Sequence, residues 1–215
     1  MTTTERNPGW TVQLAVHRAV RRDVARLASA LADEGTSIPV AVGAYWAETA
    51  RQLHHHHEFE DTAVWPLMAE RLGARVELLL ARNLREHGTM TEAMDDFDAA
   101  VSTTPMDIAA ARNALAQLEV AVETHLAHEE ADVLPLIPDA FTLDDIAFFQ
   151  AESAKTNPPA EFLPWVLDDA TDADFAFFTA AMPTSVRAQL EAAWMPRRRM
   201  TADALTSTKS GSLAM

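Results

Sequence analysis

The chain has 215 residues, 48% of them apolar, with no cysteine and a formal net charge of −15 at pH 7. That length can bury one sizeable core, and the missing thiols exclude disulfides, Cys-ligated zinc and iron–sulfur clusters while suiting a cytoplasmic setting. The acidic balance opposes nucleic acid and anionic lipid as partners, and the short run Arg197-Arg198-Arg199 does not reverse it. Residues 1–8 lack a basic-then-apolar leader, and no run approaches the roughly 18 apolar residues of a membrane span.

Only six glycines and heavy use of alanine and leucine predict an all-α protein. The first helix is predicted over residues 9–34, stopping at Gly35, with Trp10, Leu14, His17, Val20, Val24, Leu27 and Leu31 inward at spacings of three and four. A second starts near Ser37 with Pro39 in its first turn and ends near Gly73. Its inward stripe reads Tyr45, Thr49, Leu53, His56, Glu60, Val64 and Leu67, and Pro66 should kink or interrupt its last turns. A third helix, over residues 74–101, turns Val76, Leu80, Leu84, His87, Met90, Met94, Phe97 and Val101 inward. Thr104-Pro105-Met106-Asp107 then offers a cap, a first-turn proline and an early acid for a fourth helix. Its stripe is Leu115, Leu118, Val122, His125, Glu129 and Val133, up to Pro135 and Pro138. Short connections between long amphipathic helices predict an up-down-up-down four-helix bundle over residues 9–138.

Beyond residue 139 the elements shorten. Residues 142–154, 159–168, 172–182 and 184–194 read as further helices, rich in aromatics such as Phe148, Phe149, Phe162, Trp165 and Phe178. This helical extension, residues 139–200, needs cover, either on the bundle or across a homodimer interface. Residues 201–215 are rich in Ser, Thr and Ala and read as a disordered tail.

The chemistry lies in a repeat. His56 and His125 each precede a glutamate (Glu60, Glu129) by four residues, and a proline (Pro66, Pro135) follows each glutamate by six. His17 precedes this set as His87 precedes the other, so the four landmarks are offset by 70, 69, 69 and 69 residues. Positions i and i+4 share one helix face about 6 Å apart, so each His/Glu pair can address one point. His17 and His87 interrupt otherwise apolar stripes, and burying six such groups without partners would cost several kcal/mol. A lone buried histidine is usually a hydrogen-bonded core residue, and an i,i+4 His/Glu pair is usually a surface contact; four polar breaks at matched levels point instead to a shared metal site. Imidazole and carboxylate without thiolate suit iron, manganese or zinc, and six ligands exceed the need of one tetrahedral zinc. Two central carboxylates flanked by histidines fit a dinuclear site. A ferritin-like site would need a glutamate three residues before a histidine, and none is present.

In these residues the chain resembles the haemerythrin-like, or HHE cation-binding, family. The resemblance covers about residues 10–138 and is carried by His17, His56-x-x-x-Glu60, His87 and His125-x-x-x-Glu129. It implies two iron ions, with manganese as the alternative, bridged by oxo or hydroxo and by both glutamates. His17 and His56 would then serve one ion, His87 and His125 the other. His57 is the candidate for a seventh ligand, although it is rotated about 100° from His56. His54, His55, His128, Glu58 and Glu130 are placed outside the ligand set.

Two departures from oxygen-carrying members stand out. Thr91 occupies the place of their second histidine on the third helix, and the last helix carries His-x-x-x-Glu instead of a histidine and a later aspartate. Both shift the expectation from oxygen carriage toward a protein that binds or reacts with O2, hydrogen peroxide or nitric oxide, in oxidative or nitrosative stress. The alternative is a sensor or store of oxygen or iron without turnover.

Overall fold

The computed structural model describes residues 8–32 and 38–206. Among the described residues every regular element is helical. The long elements are α1 (Pro8–Ala32), α2 (Ile38–Phe59), α4 (Glu77–Val101) and α5 (Ile108–His128), with the short α3 (Trp65–Leu72) continuing the line of α2. The expected stop at Gly35 and start at Ser37 lie outside the described residues. Helix α1 packs on α2 and α5, and α4 on α2 and α5, so each long helix touches two of the others.

Helices α2 and α5 do not simply end at their proline-marked positions. Each passes into one wide π turn, Glu60–Val64 and Glu129–Val133, beginning at the paired glutamate. The backbone N–H of Trp65 reaches Glu60 O, and that of Leu134 reaches Glu129 O, five residues back instead of four. Proline cannot donate to the i−4 carbonyl and clashes with it. The extra residue in the turn lets Pro66 and Pro135 sit in the opening turn of a fresh helical segment, where a missing N–H costs nothing. The wide turn also shifts the buried face by one residue: Met68 is fully buried where Leu67 was expected, and Leu67 is half-buried.

Three other expectations are corrected. Gly73, at φ +54°, ends α3 in a conformation that favours glycine and opens a short 3-10 turn, so α4 begins at Glu77 and not at Ala74. Asp107 itself caps α5, its carboxylate accepting Ala110 N–H at 3.0 Å, and Thr104-Pro105 stays in the preceding turn. Leu84 is 59% exposed, and Asn83 takes the inward place with no exposure. Seven residues before the buried Met90, Asn83 lies only about 20° from it around the helix, whereas Leu84 lies about 120° away.

The C-terminal segments form α6 (Ile137–Ala140), α7 (Leu143–Thr156), α8 (Pro159–Val166), α9 (Asp172–Thr179), α10 (Thr184–Gln189) and α11 (Met195–Thr206). Thr142 and Asp145 close a capping box on α7. Helices α8 and α11 lie on α1 and α2. The tail expected from Thr201 does not begin there: α11 continues to Thr206 with Leu205 in the core, and residues 207–215 lie outside the described residues.

A buried polar knot joins extension to bundle. Asp23 on α1 accepts from Tyr45 Oη (2.6 Å), Arg198 Nη2 (2.8 Å), Trp165 Nε1 (2.8 Å) and Thr49 Oγ1 (3.0 Å). Arg198 also donates to Asp168 and Glu48, both at 2.9 Å. Arg22 and Arg26 complete the knot against Asp23 and Asp168, so three guanidiniums face three carboxylates. That balance and the filled hydrogen bonds are what make burial of these charges tolerable.

Candidate metal centre

The apolar interior is divided into two clusters. One runs through α1, α2, α4 and α5 and takes in Trp165, Leu190 and Leu205 of the extension. The other gathers Val64, Trp65, Met68, Val76, Val133, Ile137 and Ile146. Along the helices, the positions between the two clusters are polar: His17, His56, His57, Glu60, His87, His125 and Glu129, every one buried.

Their donor atoms converge. His17, His56 and Glu129 form one group whose ligand atoms all lie within 4.8 Å of one another, His57, His87 and His125 a second, and Glu60, His125 and Glu129 a third. The six residues paired by the repeat are thus brought together, and His57 joins them. Adjacent residues on a helix diverge by about 100°. Because α2 packs between α1 and α4, His56 reaches toward His17 while His57 stacks on His87, with ring centroids 4.2 Å apart. The second half has no counterpart: after His125 comes Leu126, buried in the larger apolar cluster.

Both glutamates stand between groups. Glu129 Oε2 is 3.2 Å from His17 Nε2 and 3.4 Å from His125 Nε2. Glu60 Oε1 is 3.5 Å from His56 Nδ1, and its Oε2 is 3.6 Å from His87 Nε2. Gln13 Nε2 donates to Glu60 Oε1.

Behind the histidines stands a second ring of carboxylates. Glu130 Oε1 is 2.9 Å from His17 Nδ1, and Asp61 Oδ1 is 2.9 Å from His87 Nδ1. Glu86 lies 3.5 Å from His125 Nδ1 and 2.7 Å from His128 Nδ1. Arg21 ties Glu130 and Arg82 ties Asp132 and Glu86. A carboxylate on Nδ1 fixes the tautomer and turns Nε2 inward, the usual arrangement behind a metal-bound imidazole. Sequence reasoning missed Asp61, Glu86 and Gln13, and left Glu130 without a role. The signal for two of them was present: Asp61 and Glu130 each directly follow a repeat glutamate, 69 residues apart.

Charge follows geometry. Burial lowers the His56 and His57 imidazoles well below their ordinary value, and neighbouring histidines add to it. His87 is lowered by burial and by His125, with Asp61 opposing. Burial, then Glu129, raises Glu60 well above the carboxylate range. For Glu129 burial pushes upward, but His17 and His125 outweigh it and hold the carboxylate low. Burial likewise opposes a proton on His17, yet Glu129 and Glu130 overcome it, so this imidazole is raised. Without a cation these surroundings favour a proton on His17 and on Glu60, and a bound cation would oppose both.

His17 Nε2, His56 Nε2, both nitrogens of His57, His87 Nε2, His125 Nε2, Glu60 Oε2 and both oxygens of Glu129 are buried without a hydrogen-bond partner. So many unpaired buried donors and acceptors facing one another fit cation ligation and little else. No protein of curated function and no solved structure matches the chain. Residues 9–137 match the family model described as Hemerythrin HHE cation binding domain. That span reaches from α1 to the start of α6 and contains every residue of the polar layer. The chain belongs to the hemerythrin HHE cation-binding family.

Proposed function

We propose that the protein is a cytoplasmic non-haem di-iron protein, an up-down-up-down four-helix bundle that binds or reacts with O2, hydrogen peroxide or nitric oxide in oxidative or nitrosative stress. The observation that carries this reading is the pair of facing donor groups, His17–His56–Glu129 and His57–His87–His125, with Glu60 and Glu129 within reach of both. Nitrogen and oxygen donors without thiolate suit iron, with manganese as the alternative. His17 and His56 would hold one ion, the three other histidines the second, and the two glutamates would be shared. The His17–His56 side brings one imidazole fewer than the His57–His87–His125 side, so a metal there would have more room for an outside ligand.

Bound iron would supply the electron transfer and Lewis acidity that these small ligands require. The chain supplies the rest. Asp61 and Glu130 hold His87 and His17 in the ligating tautomer, Glu86 stands 3.5 Å from His125 Nδ1, and the two apolar clusters close the layer at both ends. A site so enclosed admits ligands of a few atoms.

Metal analysis with a visible spectrum of the oxidised protein tests the reading. Two irons per chain are expected, and His56→Ala or Glu60→Ala should lose most of the loading. Retention of two irons in either variant overturns the assignment. Mixing the loaded protein with peroxide or nitric oxide separates the outcomes: consumption over many turnovers marks an enzyme, and one stable adduct marks a sensor or store.

A further inference from the structure

The repeat extends one turn further than its histidines. Four residues before His17 stands Gln13, and four residues before His87 stands Asn83, a carboxamide pair 70 residues apart like the histidines themselves. Taking α1 with α2 as the first hairpin and α4 with α5 as the second, Gln13 Nε2 in the first donates to Glu60 Oε1. By the same relation Asn83 belongs to Glu129, and α4 does pack on the π turn that begins with that residue.

Asparagine is one methylene shorter than glutamine. Asn83 has no exposure, neither its Nδ2 nor its Oδ1 has a partner, and Glu129 Oε1 has none either. Native interiors rarely leave a carboxamide buried and unpaired at both ends. Trp65 adds a third such group, its indole Nε1 buried without an acceptor. Its backbone N–H bonds Glu60 O, so it lies one wide turn beyond Glu60. Helices α3 and α4 meet across the short turn at Gly73–Arg75 and pack on each other. A step beyond Glu60 and a step before His87 therefore lead toward the same end of the polar layer.

We propose that Asn83 and Glu129 Oε1 form the polar wall of a ligand pocket in the second hairpin, suited to a hydrogen-peroxide-sized ligand that both donates and accepts. Asn83 offers a donor and an acceptor, and the carboxylate oxygen takes a further hydrogen. Dioxygen and nitric oxide have no hydrogen to give. In the first hairpin the longer Gln13 occupies the equivalent position by binding Glu60 directly. The pocket rests on the di-iron reading for its chemistry, but its hydrogen-bonding groups belong to the chain alone.

Two variants and two readouts test it. Asn83→Gln should span to Glu129 as Gln13 spans to Glu60, and Asn83→Ala should leave space without the carboxamide. A high-resolution crystal structure of the metal-free protein should show an ordered water joining Asn83 to Glu129, displaced in Asn83→Gln. In iron-loaded protein, Asn83→Ala should slow the bimolecular reaction with hydrogen peroxide by about tenfold, the loss of one or two hydrogen bonds to a polar ligand. Its affinity for nitric oxide, which can accept from Asn83 but not donate to it, should fall by less than the peroxide rate does. Peroxide reacting with Asn83→Ala at the parental rate overturns the proposal, as does a parent structure with no water at Asn83. A parent chain that takes up no iron refutes the metal reading instead, and metal content measured before any ligand is added tells the two failures apart.

Discussion

Each of three imidazoles that turns Nε2 inward has a carboxylate near Nδ1, and two of those carboxylates sit directly after a glutamate of the polar layer. One step along a helix swings a side chain about 100°. Glu60 thus faces inward while Asp61 reaches the back of His87, and Glu129 faces inward while Glu130 reaches the back of His17. Burial opposes the charge on Glu130, but His17 and Arg21 hold its carboxyl down at about 2. It therefore stays ionised across the range in which histidine ligates. Asp61→Asn and Glu130→Gln should each weaken metal binding by about 10- to 100-fold without unfolding the chain, the usual cost of removing such a support. Competition with a chelator of known affinity measures this, and unchanged affinity in both variants would remove the second ring from the account. Six of the seven inward residues were legible because they break apolar stripes at matched spacing; His57 lies off its stripe and has Leu126 as its counterpart, so it was only a candidate. Their supports were not legible, since an acid beside an acid on an exposed helix flank looks like ordinary solvated surface.

Among the elements, the long helices follow from periodicity, and the π turns do not. A wide turn costs a single residue, and its local trace in the sequence is a proline six places after the glutamate. The two misplaced inward positions have different causes: the π turn moves the buried face from Leu67 to Met68, whereas at Leu84 an apolar side chain was preferred over Asn83, which the helix geometry selects. The extension was legible as helices but not as a partner of α1 and α2, because the knot that fastens it draws Asp23, Tyr45, Asp168 and Arg198 from distant stretches. Tyr45 reports on that knot, being the only tyrosine in the chain. Burial, reinforced by Asp23 and opposed by Arg198, raises its phenol from 10.0 to about 12. A folded-state value above the unfolded one means that this group's contribution to stability is complete below pH 10 and fades as the pH climbs toward 12. Phenolate absorbance near 295 nm should therefore rise with a midpoint close to 12 in the folded protein. A midpoint at the ordinary value would mean that the knot is open in solution.

Across the whole molecule, the polar layer interrupts what would otherwise be one continuous core. Without a cation, five buried imidazoles and two carboxylates hold apart the two apolar clusters with many of their polar atoms unpaired. Cation binding to the folded chain alone should stabilise it by about 4 kcal/mol at a thousandfold excess over the dissociation constant. For a chain of this size that is a rise of about 10 °C in melting temperature. Calorimetry before and after chelation checks it, and equal melting temperatures would show that the layer is already satisfied without metal. The crossed supports carry a further consequence. The carboxylate behind His17 is carried by the second hairpin and the one behind His87 by the first, so neither half can present a finished site until both are in register. A cation held at His17 or at His87 would therefore draw on both halves of the repeat at once.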